Sequence, residues 1–320
     1  TGPAALNDAR VASARPFLPP ALVLAVAVLA ISWAGPLVRF TSAPALAIAA
    51  WRLTLSTLFI CVVLLFRRSA WRGVRITPRE LMLAALAGAL LALHFWTWTT
   101  SLNYTTIASS VVLVSMQPLF VAILAMTVLH ERPTRGHWIG IFIAVIGAAI
   151  IGWGDFGGGP QVVLGDGLAL SGAVFGAGYY VIGRALRQRF DLWLYIGMVY
   201  GIAAILLVLV IAVRADVALT GYQPRDWLVF VALAAVPTMI GHTGFNYALR
   251  YVPAYLANLV TLGEPVGATL IAWLLVGIHE TPGPQFLVGG TLVLVGILFG
   301  VSRTNRKSAA PAMGANTGSR

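Results

Sequence analysis

The sequence predicts an all-α membrane protein: ten transmembrane helices arranged as two inverted five-helix repeats. Three observations lead there. The first is apolar runs near 20 residues long, the length that crosses a hydrocarbon core. Of the 320 residues, 59% are hydrophobic and only 10% charged, where a soluble domain carries about 25% charged. The second is a lopsided distribution of Lys and Arg between alternate connections. The third is an internal repeat.

Taken in order, residues 1–20 are polar, small and proline-containing and read as a flexible tail. No cleavable leader is expected, because the first apolar run leads into another span. The predicted spans are 21–38, 44–66, 81–100, 106–129, 137–153, 166–185, 192–213, 227–249, 253–278 and 285–301, followed by a polar tail at 302–320. In lipid every backbone polar group needs an internal partner, so these segments must be helices. They are too long and too unalternating for barrel strands.

The second span holds Arg52 and the single cysteine, Cys61. One cysteine allows no intramolecular disulfide, and nothing nearby would activate it, so it is read as a packing residue. Net charge is +11. In a soluble protein that would suggest a nucleic-acid partner. Here the positive charges flank apolar runs, so the partner is the bilayer and no nucleic acid is expected. Counted by alternate sides, 17 Lys and Arg fall on one side and only Arg39, Arg214 and Arg225 on the other. By the positive-inside rule both termini lie in the cytoplasm and the number of spans is even.

The repeat is visible in the residues. Tyr104 matches Tyr251, and Gln117-Pro118 matches Glu264-Pro265, both at an offset of 147. After a two-residue shift His130-Glu131 matches His279-Glu280, Gly140 matches Gly289 and Gly147 matches Gly296. The first half is 21–153 and the second 166–301, with 154–165 as a periplasmic linker. Five spans per half is odd, so the second half enters the membrane inverted. That is a common transporter plan, with the substrate site near the midplane between the halves.

These motifs resemble the EamA family of the drug/metabolite transporter superfamily. The resemblance rests on SMQPLF followed by VLHE and spaced glycines, and on LGEPVG followed by GIHE and spaced glycines. Ser32-Trp33-Ala34-Gly35 in the first span and Arg52 in the second also fit. Ala34 interrupts the family's Trp-Gly pair, and His130 and His279 stand where Gly is usual. The resemblance covers residues 20–301 and looks most like the YddG-type exporters of aromatic and other amino acids. It implies a bacterial inner-membrane protein that exports small metabolites by alternating access.

Ionisable residues at membrane depth are functional candidates by default. Of ten acidic residues only Glu264 lies mid-span; it holds a proton, binds a substrate ammonium, or bonds backbone freed by Pro265. Gln117 lies equally deep in the other half. Pro118 and Pro265 each remove a backbone hydrogen bond and act as gating bends or as packing kinks. His94 and Trp98 share a face at i, i+4, as do His242 and Asn246, which suggests the walls of one cavity. Of the aromatics Trp33, Trp96, Trp98, Tyr179 and Tyr180, the preferred substrate contacts are Trp33, Trp98 and Tyr179. Arg52 either meets a substrate carboxylate or holds neighbouring carbonyls, and its small depth favours the second. The glycines Gly136, Gly140, Gly147, Gly289, Gly296 and Gly300 are read as close helix packing. Glu131 and Glu280 are read as capping residues in water.

The predicted activity is export of an amino acid or related amphipathic metabolite. A nucleotide-sugar carrier of the same superfamily is the nearest rival, but it would need several Lys or Arg at membrane depth. A membrane-embedded enzyme would need a clustered nucleophile or metal set, and no HExxH-like motif occurs. No cofactor or metal is expected, and the chain is expected to be monomeric.

Overall fold

The computed structural model describes residues 16–151, 159–214, 216–275, 281 and 283–308. Among the described residues every regular element is helical. Nine helices there are long and apolar enough to cross a membrane, and the tenth, Arg135–Ile151, is a shorter apolar helix of 17 residues. The helices are α1 (Pro20–Val38), α2 (Ala45–Phe66), α3 (Pro78–Ser101), α4 (Ile107–Val114 continuing as Gln117–Val128), α5 (Arg135–Ile151), α6 (Pro160–Arg187), α7 (Leu192–Val213), α8 (Pro224–Ala248), α9 (Ala254–Leu274) and α10 (Gln285–Ser308).

Caps define several starts. Thr77 and Glu80 form a reciprocal capping box ahead of α3. Thr106 accepts from Ser109 N at 3.0 Å to begin α4. Asp191 accepts from Trp193 N at 3.0 Å to begin α7. Each cap satisfies an amide that the first helical turn leaves unpaired.

Two expected boundaries are corrected. Residues 160–165, assigned above to the linker, form the first turns of α6. Gly159 takes φ 133°, which favours glycine, and Pro160 supplies a preset first helical residue. Residues 154–158 of the linker lie outside the described residues, as do 1–15, 276–280 and 309–320. At the other end α10 runs on to Ser308, past the expected start of the tail at 302. Near the start of the chain, Tyr247 Oη donates to Leu18 O and accepts from Leu18 N, both at 2.9 Å, which ties the last tail residues to α8.

Four helices are interrupted. α1 turns at Ser32-Trp33. α4 breaks at Ser115-Met116, immediately before Gln117-Pro118. α9 passes through a 3₁₀ turn, Val260–Gly263, immediately before Glu264-Pro265. Each of these two breaks precedes a proline, Pro118 or Pro265, which lacks the N–H its turn requires. α8 slips into a π-helix over Ala234–His242, around Pro237. The Thr238 hydroxyl donates to Leu233 O at 2.8 Å there and occupies a carbonyl freed by the slip.

Packing follows the repeat. α2 lies against α7, α4 against α9 and α5 against α10. The contact of α3 with α6 is matched by α8 with α1, and that of α3 with α7 by α8 with α2. Advancing every label by five returns the same set, as two inverted copies require. The closest approach is at α5–α10. A Cβ on Gly140 would fall 2.7 Å from Gly296 O, and one on Gly147 would fall 2.6 Å from Gly289 O. Only hydrogen fits there, so the glycine series is a packing device, as read above. Leu29, Phe59, Leu209, Leu228 and Leu298 are exposed on the outside, where lipid would cover them.

Candidate functional site

Seven of these helices converge on one small interior cavity. α1 contributes Ile31 and Ala34, α2 Arg52, and α3 His94, Phe95 and Trp98. α4 contributes Val114, Ser115 and Gln117, α6 Tyr180, α8 His242, and α9 Thr261 and Glu264. Gln117 and Glu264 each stand ten residues into their helices from Ile107 and Ala254, about 15 Å of rise, or half a hydrocarbon core. Six of the sequence candidates thus meet: Arg52, His94, Trp98, Gln117, His242 and Glu264.

Arg52 is central to the wall. Its side chain is 1% exposed; Nε donates to Thr238 Oγ1 at 3.1 Å, and the guanidinium lies 3.9 Å over the Phe95 ring. The π-turn of α8 is what brings Thr238 to that position. Arg52 was favoured above as a structural residue because of its small depth. It is structural through Thr238 and Phe95, and it also lines the cavity.

His242 packs edge-on against Phe95 at 4.9 Å and against His94 at 6.0 Å between ring centroids. His94 Nδ1 lies 2.8 Å from Gly172 O. A carbonyl only accepts, so Nδ1 carries the proton and Nε2 is left as an acceptor. Gln117 and His94 are held by α6, where a Cβ on Gly176 would collide with both side chains. Glu264 keeps partial exposure, and among the described residues no ion pair joins it to Arg52.

Four polar atoms of lining residues are buried without a partner: Arg52 Nη2, Trp98 Nε1, Ser115 Oγ and His242 Nδ1. Buried polar groups are nearly always satisfied, so a cluster of unsatisfied ones around a cavity marks a place for water or ligand. The cavity measures about 40 Å³. That is room for a water or two, far below the 300–1,000 Å³ or so of a ligand pocket. The centre is therefore contracted in this conformation.

A wider vestibule of about 440 Å³ lies beside it, lined by Arg39, Thr106, Val111, Ile151, Pro265 and Ala268 among others. It is one turn from the cavity on α4, from Val114 to Val111, and one residue away on α9, from Glu264 to Pro265. Cavities of about 610 and 180 Å³ lie at the same end. This is the arginine-poor end of the bundle.

Three candidates are not in the cavity wall. Trp33 is 38% exposed. It stands in the turn of α1 between Ile31 and Ala34, both of which line the cavity, and is not itself a lining residue. Tyr179 is fully buried, but its neighbour Tyr180 lines the cavity, one residue or about 100° further around. Asn246 shares a face with His242 as expected but sits about 6 Å further along α8. There its amide donates to Tyr179 Oη, to Tyr200 Oη at 3.2 Å and to His242 O at 2.8 Å.

Phe95, Ser115, Thr238 and Thr261 were not singled out. Only Thr261 had a usable signal: at the repeat offset of 147 it is the counterpart of Val114, and both line the cavity. Glu131 is not a solvated cap. It pairs with Arg184 at 2.9 Å with 14% of its side chain exposed. Glu280 lies outside the described residues.

The model of the EamA-like transporter family matches residues 19–153 and 163–302, one copy on each repeat. An uncharacterized transporter of Archaeoglobus fulgidus is 27% identical over 268 residues, 81% of this chain and 89% of that one. An uncharacterized transporter of Bacillus subtilis, YwfM, is 26% identical over 226 residues, covering 70% and 74%. A protein of Streptantibioticus cattleyicolor named as a probable terminal-alkyne amino-acid exporter is 26% identical over 283 residues, covering 81% and 87%. A solved crystal structure superposes with a TM-score of 0.74 at 19% identity, covering 91% of this chain and 99% of that one, which bears on the fold alone.

Proposed function

The chain belongs to the EamA-like transporter family, and we propose that it exports amino acids, aromatic or other small amphipathic ones, across the bacterial plasma membrane by alternating access. The observation that carries this reading is the pairing of one guanidinium and one carboxylate in a single cavity with aromatic and imidazole walls. Arg52 has an unpartnered nitrogen, and among the described residues no ion pair reaches Glu264. Opposite charges held apart across a cavity suit a zwitterion: Arg52 takes the carboxylate and Glu264 the ammonium. Trp98, Tyr180 and Phe95 supply surface for the side chain and, for the ammonium, ring faces. The name of the Streptantibioticus relative points the same way.

A phosphate-bearing substrate fits less well. It would draw on several cations, and Arg52 is the one Lys or Arg among the lining residues. The arginine-rich end is assigned to the cytoplasm by the positive-inside rule, so the open vestibule faces outward. The bundle rests in an outward-facing form with a contracted centre.

The test is counterflow in proteoliposomes of the purified protein, with labelled amino acids, one nucleotide sugar and one lipophilic cation. Exchange of amino acids alone supports the assignment. Exchange of the nucleotide sugar or the cation, with none of any amino acid, overturns it.

A further inference from the structure

We propose that Glu131 and Arg184 form the inner gate of the transport path, and that the path they close runs between α8 and α9 past Asn246 and Asn258. The proposal takes its orientation from the transporter reading above.

The clasp joins the two repeats. Glu131 follows α4 of the first. Its Oε1 accepts from Arg184 Nε of α6 at 2.9 Å, and its Oε2 accepts from Ala254 N, the first residue of α9, at 3.0 Å. Arg184 Nη1 donates in turn to Leu249 O, just past α8, at 2.6 Å. Two side chains thus tie the ends of α4, α6, α8 and α9. The backbone is shaped for it. His130 takes φ 54°, and Glu131 N–H closes back on Ala125 O at 3.0 Å. That is a left-handed helix stop, which swings Glu131 toward α6.

A second observation lies between clasp and cavity. On α9, Ala254, Asn258, Thr261 and Glu264 are spaced i, i+4, i+7 and i+10, so they follow one face from the clasp to the cavity wall. Asn258 is fully buried, and neither its amide oxygen nor its nitrogen has a partner. On α8 the corresponding interval holds Asn246, also fully buried, whose amide oxygen has none. Each unmet buried group is costly. Two asparagines in that condition, stacked between an interior cavity and an ion pair that spans both repeats, are accounted for by a second state. Separation of Glu131 from Arg184 lets water and substrate reach both amides.

The test reads access and needs no substrate, so an error in the amino-acid assignment leaves its result intact. In a Cys61→Ala background, Asn258→Cys is exposed to a membrane-impermeant thiol reagent applied to either face of sealed, oriented vesicles. Labelling is expected to be slow in the otherwise native chain. In Glu131→Gln or Arg184→Gln it should rise about tenfold or more, and only from the arginine-rich face. Arg184→Lys keeps the charge and should stay near the native rate. If Asn258→Cys is not monodisperse in detergent, Asn246→Cys is read in the same way. An unchanged rate in folded Glu131→Gln and Arg184→Gln proteins, or a rise from the opposite face, overturns the proposal.

Discussion

α4 and α9 hold equivalent places in the two repeats, and each is broken in mid-membrane just ahead of an X-Pro pair. The backbones match, but the chemistry does not. α4 presents Gln117, wedged against α6 at Gly176 with 5% of its surface exposed. α9 presents Glu264, which keeps accessible surface and lines the same cavity as Arg52. Inverted duplication supplied two helix breaks, and only one of them carries an ionisable side chain. On the proposed function, α4 positions its neighbours and α9 meets the cargo.

The largest test makes the two helices alike. Glu264→Gln should lower counterflow by about thirtyfold or more, because it removes one of two opposed charges from a buried site. Near-normal counterflow would show that α9 is a wall like α4. Arg52→Gln should cost about tenfold, mainly in the substrate concentration for half-maximal exchange, since it removes charge-assisted hydrogen bonds to the cargo and to Thr238. A loss confined to thermal stability would return Arg52 to a purely structural part.

α5 and α10 provide the contrast, for there the repeats are alike in both backbone and residue. Gly147→Val should lower unfolding stability by about 1–3 kcal/mol by forcing the seam at Gly289 apart, measured as a fall in melting temperature in detergent. The smallest effect belongs to the neutral member of the first pair. Gln117→Leu should change exchange only about threefold, the scale of one neutral hydrogen bond. A loss as great as that of Glu264→Gln would erase the distinction between the two helices.

Much of this was legible beforehand. Hydropathy located most span ends to within about three residues, the start of α6 and the end of α10 apart, and the 192–213 helix has the expected ends. The repeat offset paired Gln117 with Glu264, and the i, i+4 spacing put His94 on the face it occupies. Other residues were less readable for a physical reason. A helix in lipid is apolar on nearly every side, so its pattern says little about which side faces inward. Trp33 and Tyr179 were chosen for their chemistry, and in each case an adjacent residue, Ala34 or Tyr180, lines the cavity instead. Asn246 was assigned the correct face but lies one turn too deep.

By itself the sequence determined what depends on sums along the chain: the number of spans, the inverted duplication, the charge asymmetry between the two ends and the depth of the lone mid-span carboxylate. Lipid imposes those through length, apolarity and the cost of moving charge. Only the tertiary structure decided rotation and partnership: Tyr180 rather than Tyr179 at the cavity, Arg52 drawn inward by Thr238 on a π-turn, and Glu131 joined to Arg184 across the repeats. Those follow from how neighbouring helices pack and where prolines shift their phase, and no local run of residues carries that information.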